Sequence, residues 1–327
     1  MNITILGAGA WGAALAIALA ERHAVALWAR DAAQREALRR ERRSRFLPEV
    51  ALPSNVGIAG DAGVAIRTAD LVLVATPTAG LRASVELARA SGGRAPLVWA
   101  CKGFEQGTAR LPHEIVVEAL GGDAPCAALS GPSFALEVAR GLPTAITLAA
   151  WNSTLARDLA RELHQRRLRV YYSDDVVGVE VAGAVKNVMA IATGIADGLG
   201  LGENARAALI TRGLAELTRL GIALGGRAET FMGLAGAGDL ILTCTGELSR
   251  NRRVGLALGR GDALDAILAR LGHVAEGVHT AREVDRLARE RAIEMPITRG
   301  VCALLFEGLA PAAAVAQLLA RDPRSEH

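Results

Sequence analysis

Of the 37 basic residues in this chain only two, Lys102 and Lys186, are lysines; arginine takes every other basic position. A guanidinium stays charged at any ordinary pH, whereas an ammonium is compact and gives up its proton when desolvated. The surroundings of both lysines suit that chemistry. Lys102 stands in Trp99-Ala100-Cys101-Lys102-Gly103, just past an apolar run that reads as a strand. Open α/β sheets bind their ligands at the carboxyl ends of strands. Lys186 lies within 178–194, a helical stretch that is apolar almost all round. Its neighbours at helical spacing are Val179, Ala182, Gly183, Met189, Ala190 and Thr193. An ammonium is costly to bury on such a face unless it is paired or serves chemistry. Desolvation would lower its pKa and suit it to proton transfer.

A third feature lies at the amino terminus, where Gly7-Ala8-Gly9-Ala10-Trp11-Gly12 fits G-x-G-x-x-G. It follows the strand pattern Ile3–Leu6 and opens an Ala-rich helical stretch, which is the context a dinucleotide fingerprint requires. Gly7 permits the tight turn, Gly9 lets backbone approach a pyrophosphate, and Gly12 lets the helix pack on the sheet. The helix start then offers free N–H groups and a positive dipole to the phosphates. Past the second strand the chain reads Leu27-Trp28-Ala29-Arg30-Asp31. Arginine there accommodates the 2′-phosphate of NADP and an acidic residue the ribose of NAD. The order predicts that NADP(H) is preferred and that NAD(H) remains possible.

These groups need a scaffold, and the hydrophobic periodicity predicts one. Ile3–Leu6, Ala24–Trp28, Leu71–Ala75, Leu97–Ala100, Ala127–Leu129, Ala145–Ala149 and Arg169–Tyr172 read as strands, with helical patterns filling several of the gaps. Leu71-Val72-Leu73-Val74 is continuously apolar, as a strand buried on both faces should be. Strand signals stop near Asp174. Helical patterns follow at 176–197, 204–224, 251–259, 262–271, 279–292, 298–307 and 311–320. Asp174 or Asp175 could cap the first of these. The fold predicted is an α/β N-terminal Rossmann domain (1–175) with a mostly parallel sheet, followed by an all-α C-terminal domain (176–327) that binds substrate.

Composition excludes several alternatives. Half the 327 residues are apolar, and the net charge is only +3, which favours an anionic small molecule without demanding nucleic acid. The stretch Arg35–Arg45 lacks interleaved aromatics and reads as a solvated helix and loop. Cys101, Cys126, Cys244 and Cys302 have no C-x-x-C spacing, and the six histidines form no ligand pair, so neither a disulfide framework nor a metal site is expected. No apolar run approaches the ~18 residues of a membrane span, and no leader precedes the first strand. The pattern predicts a soluble cytoplasmic protein.

With these residues in place, the chain resembles the bacterial NAD(P)+-dependent glycerol-3-phosphate dehydrogenases over essentially its whole length. The resemblance is carried by GAGAWGAALA (7–16), LWARD (27–31), WACKGFE (99–105), LSGPSFALE (129–137), GVEVAGAVKNVMAIATG (178–194), NARAALITRGLAEL (204–217), GLAGAGDLILTCTGELSRNRRVG (233–255) and VAEGV (274–278). It implies reversible reduction of dihydroxyacetone phosphate to sn-glycerol 3-phosphate, supplying the glycerophospholipid backbone, by a homodimer. It also implies residue roles. Lys186 matches the proton donor and acceptor, and Lys102 a lysine that touches both cofactor and substrate. Gly131, Ser133, Asp239, Ser249, Arg250 and Asn251 match substrate contacts. Ala10, Trp11, Arg30, Ala135, Arg250, Val274 and Glu276 match cofactor contacts. Ala10 replaces a frequent serine, which leaves only backbone there, and Ala237 a frequent leucine. Arg250 would bring a planar fork to the substrate phosphate, and Asp239 would orient an ammonium or a substrate hydroxyl. Two other readings fit the residues: a two-domain dehydrogenase of a 3-hydroxy acid or sugar acid, and a non-catalytic NADP-binding sensor.

Overall fold

The computed structural model describes residues 1–271 and 275–320. Its strands are β1 (Asn2–Leu6), β2 (Ala24–Trp28), β3 (Arg43–Ser44), β4 (Leu47–Ala51), β5 (Val56–Ile58), β6 (Leu71–Val74), β7 (Leu97–Trp99), β8 (Cys126–Ser130), β9 (Thr144–Ala149) and β10 (Leu168–Ser173). Eight of them form one sheet in the order β10-β9-β8-β7-β6-β1-β2-β5. Neighbours are parallel except β8 and β9, which are antiparallel. The chain leaves β1 for β2 and β5 on one side, then crosses back to β6 on the other. The carboxyl ends of β1 and β6 therefore border the crevice where strand order reverses, the usual ligand site of such sheets.

Side-chain alternation divides the core between the two faces. Ile3, Ile5, Leu71, Leu73, Val98, Ala127 and Leu129 pack on one face with the helix Ala10–Leu19. Leu6, Val72, Val74, Leu97, Trp99 and Ala128 pack on the other, in a core continuous with the helix Val176–Gly198. Each fully buried Leu, Val or Ile stabilises the fold by roughly 1.5–3 kcal/mol relative to exposure.

All seven expected strands are present. The hairpin β3–β4 and the short β5 were not expected; few residues and a weak apolar pattern leave them no clear period to read. The arginine-rich stretch forms the helix Ala32–Glu41 and enters the hairpin. Asp31 caps that helix through the Ala33 N–H, and Arg39 and Arg40 lie in its last turn, where cations suit the dipole.

Past β10 the described residues form helices Val176–Gly198, Gly202–Ala223, Ala228–Met232, Asp239–Thr245, Arg250–Gly259, Leu264–Leu271, Glu276–Glu290, Pro296–Phe306 and Pro311–Leu319. Asp175 caps the first by accepting from the Gly178 N–H at 2.8 Å, and the same carboxylate accepts from the Arg227 N–H and the Thr230 hydroxyl. The expectation about apolar runs needs correction. Helix Val176–Gly198 is long and apolar enough to cross a bilayer, but 94% of its most apolar window is buried inside the protein. It is the core helix around which the others pack. Helix Arg250–Gly259 approaches it most closely: a Cβ on Gly194 would strike the Arg252 carbonyl, and one on Gly255 the Ile191 carbonyl. Asp197 locks the crossing by accepting from Arg252 Nε at 2.9 Å and Arg206 Nε at 2.8 Å.

Candidate active site

The glycine fingerprint occupies the turn between β1 and the helix Ala10–Leu19. Gly7 has φ 113°, and a Cβ there would meet the Ala75 backbone at 2.8 Å. A Cβ on Gly12 would run into the Gly7 carbonyl. Gly9 differs, because a Cβ added to it meets nothing within 4 Å. It caps a helix start that no side chain caps, so unblocked N–H groups face open space. The Thr76 hydroxyl, just past β6, is buried with no hydrogen-bond partner among the described residues. This cradle fits a dinucleotide pyrophosphate. Ala10 and Trp11 form the first helical turn and are partly exposed.

Arg30 lies exposed two residues past β2. Its neighbour Asp31 is engaged as a helix cap. The Arg35 guanidinium holds this corner by donating to the carbonyls of Ala29 (2.7 Å) and Arg30 (2.9 Å). The side chain of Arg30 is thus presented on a fixed turn, where it can meet a charge on the ribose.

The two lysines converge on one carboxylate. Lys102 Nζ donates to Asp239 Oδ2 at 2.7 Å and to the Gly131 carbonyl at 3.0 Å. Lys186 Nζ donates to the other oxygen, Oδ1, of the same aspartate, and to Thr243 Oγ1 at 3.0 Å. Exposure is graded: the side chain of Lys102 is 17% exposed, that of Lys186 8% and that of Asp239 1%. Burial lowers the Lys186 pKa to about 7; Asp239 opposes the shift and the charge of Lys102 reinforces it. The arrangement yields an ammonium that can gain and lose a proton near neutrality, beside a second lysine.

Local backbone places each member of this trio. Lys102 follows the carboxyl end of β7. Lys186 sits mid-helix with Gly183 one turn back, and a Cβ on Gly183 would press on the Ser130 hydroxyl at 2.7 Å and the Lys102 stem at 3.5 Å. Asp239 begins the helix Asp239–Thr245 directly after a π-helical turn, Leu234–Gly238. Such turns re-aim side chains and recur at functional sites.

The remaining candidates fall on adjacent elements. Gly131 and Ser133 lie just past β8, where Ser133 Oγ donates to the Gly131 carbonyl at 2.9 Å, and Ala135 opens the helix Ala135–Ala139. Ser249 caps the helix Arg250–Gly259, accepting from the Arg252 N–H at 3.2 Å. Arg250 is exposed at the first position of that helix. Asn251 is buried and committed: its amide donates to Asn187 Oδ1 at 2.9 Å and its carbonyl accepts from the Gly277 N–H at 3.0 Å. It therefore ties together the helices that carry Lys186, Arg250 and Glu276. Glu276 opens the helix Glu276–Glu290; burial raises its pKa to about 7, against the Thr78 N–H and the Arg250 charge. Val274 lies outside the described residues.

Several site residues escaped the sequence reading. Thr243 reaches Lys186 because it follows Asp239 at i+4 on one helix face; recognising the short helix would have revealed it. Asn187 adjoins Lys186 in sequence, yet its role needs Asn251. Ser130 Oγ is buried beside the Lys102 stem with no partner among the described residues; it lies in the LSGPSFALE segment, but only the fold brings it to Lys102.

Comparison with known proteins bears on the whole chain. The family profile described as NAD-dependent glycerol-3-phosphate dehydrogenase N-terminus matches residues 2–156, and the corresponding C-terminus profile matches residues 175–316. The glycerol-3-phosphate dehydrogenase (NAD(P)+) of Dechloromonas aromatica is 59% identical over 327 residues, covering 100% of this chain and 99% of that one. The protein of that name from Thiobacillus denitrificans is 57% identical over 100% of both. A crystal structure of glycerol-3-phosphate dehydrogenase from Coxiella burnetii superimposes with a TM-score of 0.93 at 44% identity, covering 98% of each chain.

Proposed function

Because this chain belongs to the NAD-dependent glycerol-3-phosphate dehydrogenase family, we infer that it reduces dihydroxyacetone phosphate to sn-glycerol 3-phosphate, reversibly, with NAD(P)H. The observation that carries the residue assignment is the bridging of the only two lysines by the buried Asp239 carboxylate, past the carboxyl ends of the sheet. A bound NAD(P)H supplies the hydride. Negative charge then develops on the former carbonyl oxygen and needs a proton and electrostatic support. Lys186 delivers the proton in reduction and takes it back in oxidation. Lys102 contributes positive charge beside the reacting oxygen and helps keep the Lys186 pKa low. Asp239 aims both ammoniums and Thr243 steadies the second. Arg250, exposed at its helix start and within reach of the Glu276 charge, grips the substrate phosphate, and binding that remote group helps fix the carbonyl for transfer. Ser249 and Asn251 serve it chiefly by holding the segment, through the cap and the three-helix tie.

Arg30 supports a preference for NADP(H), since Asp31 is occupied as a cap. We assign 1–175 to cofactor binding and 176–327 to substrate and catalysis, because β10 ends at Ser173 and Asp175 caps the next helix. Four free thiols, Cys101, Cys126, Cys244 and Cys302, suit the cytoplasm. The proposed working form is a homodimer, on the family resemblance, and the proposed role is supply of the glycerophospholipid backbone. The deciding experiment is turnover of dihydroxyacetone phosphate with NADPH and NADH, alongside 3-hydroxy and sugar acids. Absence of turnover on the phosphate ester would overturn the assignment.

A further inference from the structure

Glu180 is a carboxylate buried to 6% exposure on the helix that bears Lys186, and it belongs to neither the lysine cluster nor the cofactor cradle. It lies on the helix face that continues through Gly183 and Asn187. That face packs against the carboxyl ends of β7 and β8, touching the Lys102 stem and Ser130 at Gly183. One oxygen of Glu180 accepts from Trp99 Nε1 at 2.7 Å and from the His113 N–H at 2.9 Å. The other meets His113 Nδ1 at 2.5 Å. Trp99 is fully buried and ends β7, and Lys102 follows three residues later. The carboxylate therefore fastens the strand that delivers one lysine to the helix that delivers the other.

The type of this fastening is informative. Two charged groups withdrawn from water stabilise a fold no better than well-packed apolar residues of similar volume. Burial pushes Glu180 above the usual carboxylate range. Burial works to lower the His113 pKa, but the hydrogen bond and charge of Glu180 outweigh it and leave it raised. Cys101 and Cys126 feel the same charge, and Glu114 faces His113. What a carboxylate provides here that an apolar contact does not is direction. A short hydrogen bond to an indole N–H fixes the strand end in one register against the helix.

We propose that Glu180 is a positioning residue of the reaction, holding the end of β7 against the Lys186 helix and so setting the separation of the two ammoniums. The proposal rests on the dehydrogenase reading of the site. It predicts that cutting the tie lets Lys102 move away from Lys186, which removes charge repulsion from Lys186 and raises its pKa.

The test uses the full chain and three variants: Glu180→Met and Trp99→Phe, which cut the tie from either end, and Glu180→Gln, which keeps an acceptor for Trp99. Readouts are kcat and KM for dihydroxyacetone phosphate, the pH at which reductive kcat falls, and the melting temperature. Both cutting variants should lose roughly ten- to a hundredfold in kcat, the scale of a small misplacement of reacting groups. Their reductive kcat should fall at higher pH than in wild type. Glu180→Gln should retain most of kcat. A merely structural role would lower the melting temperature and leave the pH of the fall where it was. If Glu180→Met does not fold, Trp99→Phe decides alone, because an aromatic replaces an aromatic there. Folded cutting variants with wild-type kcat and an unmoved pH limb would overturn the proposal, as would a Gln variant as impaired as Met. A wild type inactive on dihydroxyacetone phosphate would instead remove the underlying reading of the site.

Discussion

Asp239→Asn is the sharpest perturbation of the site, because it removes charge without volume. Asp239 is 1% exposed and holds an ammonium on each oxygen. At the 2.7 Å separation from Lys102, Coulomb attraction at an effective dielectric of about 20 is roughly 6 kcal/mol. The net cost of breaking such a buried pair is smaller, about 3–5 kcal/mol. Lys186 can escape most of its share by giving up its proton. About 3 kcal/mol corresponds to roughly two pKa units, so the Lys186 pKa should drop from about 7 to near 5. With Lys186 as the proposed proton donor, reduction needs it protonated, so wild-type reductive kcat should fall as pH rises through about 7. In the variant that fall should come near pH 5, and around pH 7 the protonated fraction should drop from about half to about one per cent, a loss of roughly fiftyfold in kcat. Stability should move in a linked way. The lysine pKa is depressed in the folded variant, so near neutral pH the unfolded chain binds the extra proton; the variant's stability deficit should therefore grow as pH falls from about 7 to about 5. The assay is reductive kcat against pH with saturating substrates, paired with denaturant melts across the same range. A variant whose kcat is lowered equally at every pH, with the limb unmoved, would refute the coupling of Asp239 to Lys186.

Three further outcomes follow from the same geometry. Lys186→Arg should fold but lose most activity in both directions, since a guanidinium keeps the charge and cannot exchange a proton near neutrality; near-normal kcat would remove Lys186 as the acid. Arg30→Ala should raise KM for NADPH far more than for NADH, because an exposed guanidinium just past β2 stands where a 2′-phosphate would lie; equal effects on both would show that Arg30 does not read it. Arg250→Ala should cost about two or more powers of ten in kcat/KM on dihydroxyacetone phosphate and far less on unphosphorylated dihydroxyacetone. Cofactor KM should be measured separately in that variant, and full retention of the phosphate preference would place the phosphate site elsewhere.

The strands were legible because burial on both faces writes continuous apolar runs such as Leu71–Val74, and the longer helices after Asp174 because their apolar residues recur at helical spacing, all round the buried Val176–Gly198 and on one side of helices such as Glu276–Glu290. The hairpin β3–β4, strand β5 and the short helix Asp239–Thr245 were not legible, since a few residues carry too little period to separate one element from another. For the helix the omission mattered: it hid the i+4 relation between Asp239 and Thr243.

Sequence by itself determined which groups could do chemistry. A glycine fingerprint after an apolar strand and two lysines in an arginine chain are local features, written in neighbouring residues. Tertiary structure alone decided what those groups do to one another. Lys102 and Asp239 meet across 137 positions, and Asn251 reaches Asn187 across 64. The pKa of Lys186 depends on how much water, and which charges, surround its nitrogen in space. No spacing in the chain encodes that distance; it is set where a helix, a strand end and a π-helical turn pack against one another, because electrostatic interaction falls off with separation in space and not along the chain.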